Sequence, residues 1–217
     1  MVPIDESVAK LLIAKHWELV CSVTDIYSET EPILVEIFDR YSEPNRAYHN
    51  LIHIAKMLLI IGGQDEYPED LCELSVATIF HDIIYDRQAK DNEERSAEYA
   101  MRVFGLLGFE NEFLTKVNAY ILGTKHHVVD PFFPHTATMI DADLSILGAP
   151  YDEYQEYAEA IRQEYSFVGE EAYRVGRTAV LNSFLNRKKI YLVPWFRDKF
   201  ETQARVNIDW EIETLKT

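Results

Sequence analysis

The chain has 217 residues, of which 47% are hydrophobic, and its formal net charge is −16 at pH 7. This hydrophobic fraction supports a substantial core and argues against disorder, while eight glycines and eight prolines are too few for a turn-rich β-sandwich. Because so acidic a chain repels a phosphate backbone, we expect no nucleic acid polymer as a partner.

Neither the cysteines nor the apolar runs indicate an extracellular or membrane protein. The two cysteines, Cys21 and Cys72, indicate no disulfide framework and no thiolate metal cluster. Residues 1–10 are charged and lack an apolar signal-peptide run, and the longest apolar stretch, near residues 57–61, is too short to span a bilayer. We therefore expect a cytoplasmic protein with no membrane partner.

Apolar residues recur at helical spacing along the chain, and strand signals are faint. The sequence predicts an all-α bundle of about eight to ten helices, forming a single domain over residues 1–217. In chain order, the predicted helices cover residues 5–24, a segment from Pro32 through Arg40, a segment capped at Ser42 to Asn45 and ended by Gly62–Gly63, a segment from Pro68, Glu69 and Asp70 through Asp82, and then residues 92–108, 110–125, 138–148, 151–165, 170–192 and a last helix through Leu215.

Six of the seven histidines lie between residues 49 and 135. His49 and His53 are four residues apart, so on a helix they share one face. Two imidazoles so placed could bind one metal ion, or one could bind the metal while the other acts on a substrate. The alternative is a pair of ordinary polar side chains on a helix. His16 and His135 have no partner motif, and we interpret both as structural or surface residues.

Carboxylates also fall inside apolar segments. Asp82, after His81, ends an apolar run, where an ionised carboxylate is costly unless a partner such as a divalent cation is present; a buried His–Asp hydrogen bond or a helix C-cap is the alternative. Asp141 and Asp143 are two positions apart, so on a helix only one should face a shared site, with ordinary first-turn acids as the alternative. Together these groups form a mixed N/O donor set suited to Mn, Mg, Fe, Co, Ni or Zn ions.

The order of these units resembles the HD-domain superfamily of metal-dependent phosphohydrolases, whose hallmark is His…His-Asp…Asp. The runs YSEPNRAYHNLIHI, FHDIIYD, DNEERSA and DADLSILG, with the Thr-Lys-His126 element, are similar to a family of small bacterial predicted HD phosphohydrolases. The resemblance spans roughly residues 10–215. Its motifs are specific for the superfamily and nearly silent about the substrate, and it implies an HD-domain-like helical bundle.

The resemblance implies a divalent metal ion held by four residues, His53, His81, Asp82 and Asp143. In this arrangement, which is similar to that of cyclic nucleotide phosphodiesterases, His49 is the general acid that protonates the leaving oxygen. The stretch Arg46-x-x-His49 also resembles deoxynucleotide triphosphohydrolases, in which the histidine binds the metal. We prefer the first arrangement because both histidines and the intervening asparagine match.

The implied activity is that of a metal-dependent phosphohydrolase acting on a small phosphoester through a metal-bound water. Nucleotides are among the candidate substrates, and a small-molecule phosphate is the expected partner. Asp82 is expected to orient that water or to bridge two metals. Arg46 is the first candidate for the cation that offsets phosphoryl charge, ahead of Arg87, Lys90 and Lys125.

Several alternatives stay open at the level of sequence. His126 and His127 could supply a second metal site or an alternate ligand, or they could mark a helix C-terminus. Glu93 and Glu94 could bond to the metal ligands without contacting the metal, or they could be acids that favour the first turn of a helix. The rival functions are an HD-fold di-iron oxygenase, a metal-binding nucleotide sensor without turnover, and a purely structural helical protein. The last amphipathic helix allows a homodimer.

Overall fold

A computed structural model describes residues 4–22, 27–63 and 70–216, apart from the side chains of residues 27–29 and His126. Over these residues the structure is helical and contains no strand, which confirms the predicted all-α class. The helices in this part of the chain are α1 (Glu6–Ser22), α2 (Tyr27–Tyr41), α3 (Leu51–Gly62), α4 (Leu71–Phe80), α5 (Asn92–Leu106), α6 (Asn111–His126), α7 (Thr136–Asp143), a 3-10 helix (Leu144–Gly148), α8 (Tyr151–Glu164), α9 (Glu170–Leu185) and α10 (Pro194–Thr214).

The chain groups into two compact units, Met1–Ile140 and Asp141–Thr217, and the division falls inside helix α7. In the first unit α4 is central, because it packs against α1, α3, α5 and α6. The ring of Phe80 on α4 lies 6.2 Å from that of Trp17 on α1 and 5.3 Å from that of Phe104 on α5, measured between centroids. The predicted single domain over the whole chain stays a prediction.

In the second unit, α10 packs against the 3-10 helix, α8 and α9. Glu211 on α10 is buried and accepts hydrogen bonds from the hydroxyl of Tyr154 at 2.6 Å and from Nε of Arg177 at 2.7 Å. These bonds join three helices through one carboxylate, and they satisfy a charge that would be costly to bury alone.

The predicted start of α2 is wrong. Proline suits the first turn of a helix, but α2 begins at Tyr27 and contains Pro32 in its interior. A proline there removes one backbone hydrogen bond, yet the helix continues to Tyr41.

The predicted N-cap of α3, at Ser42 to Asn45, is also wrong. The helix begins at Leu51, because the side chain of Asn50 accepts hydrogen bonds from the backbone N–H groups of Ile52 at 2.9 Å and His53 at 3.4 Å. Such an N-cap satisfies N–H groups that have no partner within the helix. His49 therefore precedes α3, and the shared helix face predicted for His49 and His53 does not exist.

The predicted end of α3 is confirmed: the helix ends at Gly62, and Gly63 caps it. A Cβ atom at Gly63 would lie 2.9 Å from the carbonyl oxygen of Leu59, so glycine fits the close approach there. The starts predicted at Pro68 and Glu69 for the next helix lie outside the described residues, and α4 follows Asp70. Among the helices described, none has both the length and the apolar character needed to cross a bilayer.

Candidate metal centre

The orientation of His81 is set by the helix that precedes it. His81 caps the C-terminal end of α4 and is 2% exposed. Its Nδ1 lies 2.9 Å from the carbonyl oxygen of Thr78, one turn earlier. Because a carbonyl oxygen only accepts, Nδ1 carries a ring hydrogen, and in the neutral ring Nε2 presents its lone pair on the other side. Metal-binding histidines are typically held in this way.

Nε2 of His81 faces two further electron-pair donors. Nε2 of His53 lies 3.4 Å away, and a carboxylate oxygen of Asp82 lies 3.2 Å away. His53 is buried in the first turn of α3, and the Asp82 side chain is 14% exposed. Burial alone would raise the pKa of Asp82, but the neighbouring imidazoles of His81, His49 and His53 hold that pKa well below its usual range. The predicted His81–Asp82 pair therefore meets His53, the first predicted imidazole ligand.

Asp143 supplies the third member of the group. It is the last residue of α7, a helix that begins in the first unit at Thr136. A carboxylate oxygen of Asp143 and one ring nitrogen each of His53 and His81 all lie within 4.8 Å of one another, so these three residues could hold a metal ion. Two imidazoles and a carboxylate are a donor set that divalent transition metals accept, with positions left for water or substrate.

The two carboxylates of the Asp141-Ala-Asp143 unit have different surroundings. Asp141 is fully buried and accepts hydrogen bonds from the backbone N–H groups of Leu192 at 2.9 Å and Val193 at 2.7 Å. Burial raises the pKa of Asp141 to about 6, although these backbone bonds oppose the shift. Of the two, Asp143 is the one whose carboxylate approaches the histidines. The family resemblance also implies Asp143 as the ligand.

His49 lies beside the histidine pair and outside the group of three. Its ring centroid is 5.8 Å from that of His53, 4.6 Å from that of Tyr85 and 5.0 Å from that of Tyr48. Tyr48 also lies 4.8 Å from the ring of His53. Tyr48 therefore contacts both imidazoles and Tyr85 contacts His49, and we call these two tyrosines the aromatic wall. Whether His49 acts as the general acid or as a ligand stays a prediction.

Sequence reasoning missed this aromatic wall. Tyr48 directly precedes His49, and Tyr85 follows Asp82 by three positions. The proximity of both tyrosines to predicted site residues was the available signal.

The guanidinium group of Arg46 is committed to backbone carbonyls. Arg46 is 6% exposed, and its Nη1 donates to the carbonyl oxygens of Asp82 at 2.7 Å and His49 at 3.2 Å. Its Nη2 donates to the carbonyl oxygen of Ile83 at 3.1 Å, and its Nε donates to a carboxylate oxygen of Glu43 at 3.2 Å. Arg46 thereby joins the segment before α3 to the turn after α4. Its predicted contact with a phosphoryl group stays a prediction.

Two aromatic rings flank the same guanidinium. Its central carbon lies 4.9 Å from the ring centroid of Tyr41 and 5.2 Å from that of Tyr85. The hydroxyl of Tyr41 donates to the carbonyl oxygen of Ile79 at 2.8 Å, near the end of α4. The two rings favour the buried charge through cation–π attraction. Together with the bond from Arg46 to the Asp82 carbonyl, these contacts hold the backbone around the His81–Asp82 turn.

Lys125, a weaker candidate for a phosphate-binding cation, pairs with acids instead. Its Nζ donates to a carboxylate oxygen of Glu94 and to the carbonyl oxygen of Lys90, and it lies 4.0 Å from a carboxylate oxygen of Glu93. Glu93 and Glu94 lie in the first turn of α5. The pairing therefore joins the end of α6 to the start of α5.

The remaining histidines whose side chains the structure describes lie outside the group of three. The side chain of His126 is outside the described part of the chain. His127 has a φ of 53°, in the left-handed region, and its backbone N–H donates to the carbonyl oxygen of Gly123, so it caps α6. A ligand role for His127 stays a prediction. Nδ1 of His16 lies 2.9 Å from the hydroxyl oxygen of Ser75.

Comparison with known proteins yields no assignment: no protein-family model, no curated protein and no solved structure matches this chain. The motifs and the geometry of the donor groups are therefore the basis for assigning a function.

Proposed function

We propose that this protein is a metal-dependent phosphohydrolase of the HD type that cleaves a small phosphoester. The observation that carries the proposal is the contact of Nε2 of His81 with Nε2 of His53 at 3.4 Å and with a carboxylate oxygen of Asp82 at 3.2 Å. Because the Thr78 carbonyl holds the hydrogen of His81 on Nδ1, its Nε2 lone pair faces two other electron-pair donors. In the neutral ring these donors repel one another, and a proton or a metal ion among them would offset that repulsion; we propose that a divalent ion takes this place.

Four residues would hold the ion. His53, His81 and Asp143 form the close group, and Asp82, in contact with His81, is the proposed fourth donor. An ion bound by such a set acidifies water and polarises a phosphoryl oxygen. His49, whose ring is 5.8 Å from that of His53, is the proposed group that protonates the leaving oxygen, since imidazole exchanges protons near neutral pH.

The substrate is proposed to be small. The net charge of −16 disfavours a polyanionic polymer, whereas a single phosphoester can be neutralised locally by the ion. Nitrogen and oxygen donors do not select strongly among divalent metals. Elemental analysis of the purified protein is therefore the first measurement, and iron together with oxygen consumption would support the oxygenase alternative instead.

The direct test removes the pair at the end of α4. We expect the wild type to cleave a generic aryl phosphate with added Mn²⁺, and chelation to abolish cleavage. His81→Ala and Asp82→Asn should each lower turnover by more than about 100-fold, since each removes a donor from the ion. The matched control is His16→Ala, which removes a half-buried histidine bonded to Ser75 and should leave turnover within about twofold. Cleavage that survives both donor substitutions would contradict the proposal.

The same assay separates the two arrangements of the first histidines. His53→Ala should lose the metal, measured by titration calorimetry with Mn²⁺. His49→Ala should retain the metal and lose about 10²–10⁴-fold in turnover, as expected for a general acid. The reverse outcome, with metal lost from His49→Ala and kept by His53→Ala, would assign the metal ligand to His49.

A further inference from the structure

Hydrogen bonds hold the end of α7 on both sides of Asp143. On one side, Asp141 is fully buried, and both of its oxygens lie 2.9 Å from the backbone nitrogen of Leu192, which donates to them. One oxygen also accepts the N–H of Val193 at 2.7 Å. On the other side, the carbonyl oxygen of Leu144 accepts a hydrogen bond from the hydroxyl of Tyr191 at 3.0 Å.

The segment that donates these hydrogen bonds is itself held in place. Glu201 on α10 accepts the backbone N–H of Ile190 at 3.0 Å and that of Tyr191 at 3.2 Å. Arg197 donates to the carbonyl oxygens of Tyr191 at 3.3 Å and Leu192 at 2.8 Å. Residues 190–193 are therefore a fixed support against which Asp141 can hold the last turn of α7.

A buried carboxylate is an energetically costly acceptor for such a contact, because its charge is removed from water. Burial of an ionised carboxylate is unfavourable, and the bonds to Leu192 and Val193 offset that cost through charge-assisted donation. What the carboxylate offers over a neutral acceptor is two oxygens that accept from two successive N–H groups. It thereby fixes the rotation of the helix end as well as its distance from residues 192–193.

We propose that Asp141 is a positioning residue for the metal centre. This inference rests on the proposed function. Asp143 is two positions further along the same helix, so the rotation that Asp141 fixes also determines where the Asp143 carboxylate points. Ligand groups must be held to within about 0.5 Å of their working position, and a short helix end without this anchor would let Asp143 depart from it.

The test compares two carboxylates that accept backbone N–H groups of the same segment. Asp141→Asn opposes the donors of Leu192 and Val193 with an amide, and Glu201→Gln does the same to Ile190 and Tyr191 from α10. Both variants should lower the melting temperature of the metal-free protein. Asp141→Asn should weaken Mn²⁺ binding by about 10–100-fold, as for residues that orient metal ligands, and Glu201→Gln, which leaves the bonds of Asp141 in place, should weaken it less.

A second variant approaches the same bond from its donor. Val193 has a φ of −78°, which proline can adopt. Val193→Pro removes the N–H that Asp141 accepts and leaves Asp141 intact, so it should weaken Mn²⁺ binding by several-fold even if Asp141→Asn does not fold. Binding of Mn²⁺ by Asp141→Asn or Val193→Pro within about twofold of the wild type, or equal weakening by Glu201→Gln, would overturn the inference.

The outcomes separate the two proposals. A wild type that binds Mn²⁺ without cleaving any phosphoester would end the proposed function and leave the role of Asp141 supported by its variants. A wild type that cleaves phosphoesters, with Asp141→Asn binding Mn²⁺ normally, would end the inference alone. A wild type that binds no divalent ion would overturn both.

Discussion

A buried arginine next to a candidate catalytic site is easily interpreted as a substrate-binding cation, and at position 46 the contacts favour a different role. Arg46 bonds to the carbonyl oxygens of His49, Asp82 and Ile83. The sequence could not distinguish these roles, because all three acceptors are backbone atoms that leave no mark on residue identity. What Arg46 fixes is the distance between the segment that carries His49 and the turn that carries Asp82.

Arg46→Lys should therefore act mainly on stability and turnover. A lysine ammonium keeps the charge but cannot reach three carbonyls from a planar group, so we expect a loss of about 3 kcal/mol in the free energy of unfolding, measured by urea denaturation. Arg40→Lys is the matched control, because Arg40 pairs with Glu36 on the surface of α2 and should change stability by less than about 1 kcal/mol. A variant at position 46 with unchanged stability and a raised KM alone would instead identify a phosphate-binding cation.

The carboxylate pair shows how far residue-level prediction could go. The spacing of Asp141 and Asp143 predicts that they diverge on a helix, and they do. The partners of Asp141 are backbone N–H groups at residues 192 and 193, far along the chain from it. No local pattern could have indicated them, so its role emerged only from the fold.

At the scale of helices, most elements could be predicted from apolar spacing, and the errors concern their ends. Asn50 is a good capping residue, but Ser42 and Asn45 precede the same apolar run and are also good ones. The choice depends on whether residues 47–50 pack against Arg46 and the turn after α4 or continue as helix. Those are tertiary contacts, and they outweigh the local preference.

Helix α6 approaches α7 closely at a glycine. A Cβ atom at Gly123 would lie 2.2 Å from Cγ2 of Thr136. Gly123→Ala should therefore lower the free energy of unfolding by about 1–3 kcal/mol, although alanine favours helix. At Gly105 on α5 a Cβ atom would meet nothing within 4 Å.

Gly105→Ala is thus the matched control for that prediction. It should leave stability unchanged or raise it by up to about 1 kcal/mol, the helix preference of alanine over glycine. Urea denaturation of both variants gives the comparison. Equal stabilisation by the two alanines would show that α6 and α7 do not approach as closely as described.

At the scale of the whole molecule, metal binding should be linked to folding. His53 begins α3 and His81 follows α4, so the two imidazoles lie 3.4 Å apart only in the folded chain. An ion that binds the folded state alone stabilises it by about 2.7 kcal/mol at a concentration 100 times its Kd. We expect Mn²⁺ to raise the melting temperature of the wild type and to leave that of His81→Ala unchanged. An equal rise in both proteins would place the ion elsewhere.

The all-α class could be predicted from composition and periodicity, because few glycines and prolines and regular apolar spacing leave little room for strands. The division near Ile140 could not. It falls inside a helix, where no glycine, proline or polar linker marks it. Composition and apolar spacing predict which segments are helical better than they predict how the helices group into units.

The hydrogen bond between His81 and the Thr78 carbonyl has an evolutionary consequence. Its acceptor is a main-chain atom of α4, which every amino acid at position 78 would supply as long as the helix persists. A substitution at position 78 that keeps the helix therefore keeps the acceptor, and with it the hydrogen on Nδ1. Side chains around the candidate metal centre can thus vary while the ring of His81 keeps its orientation.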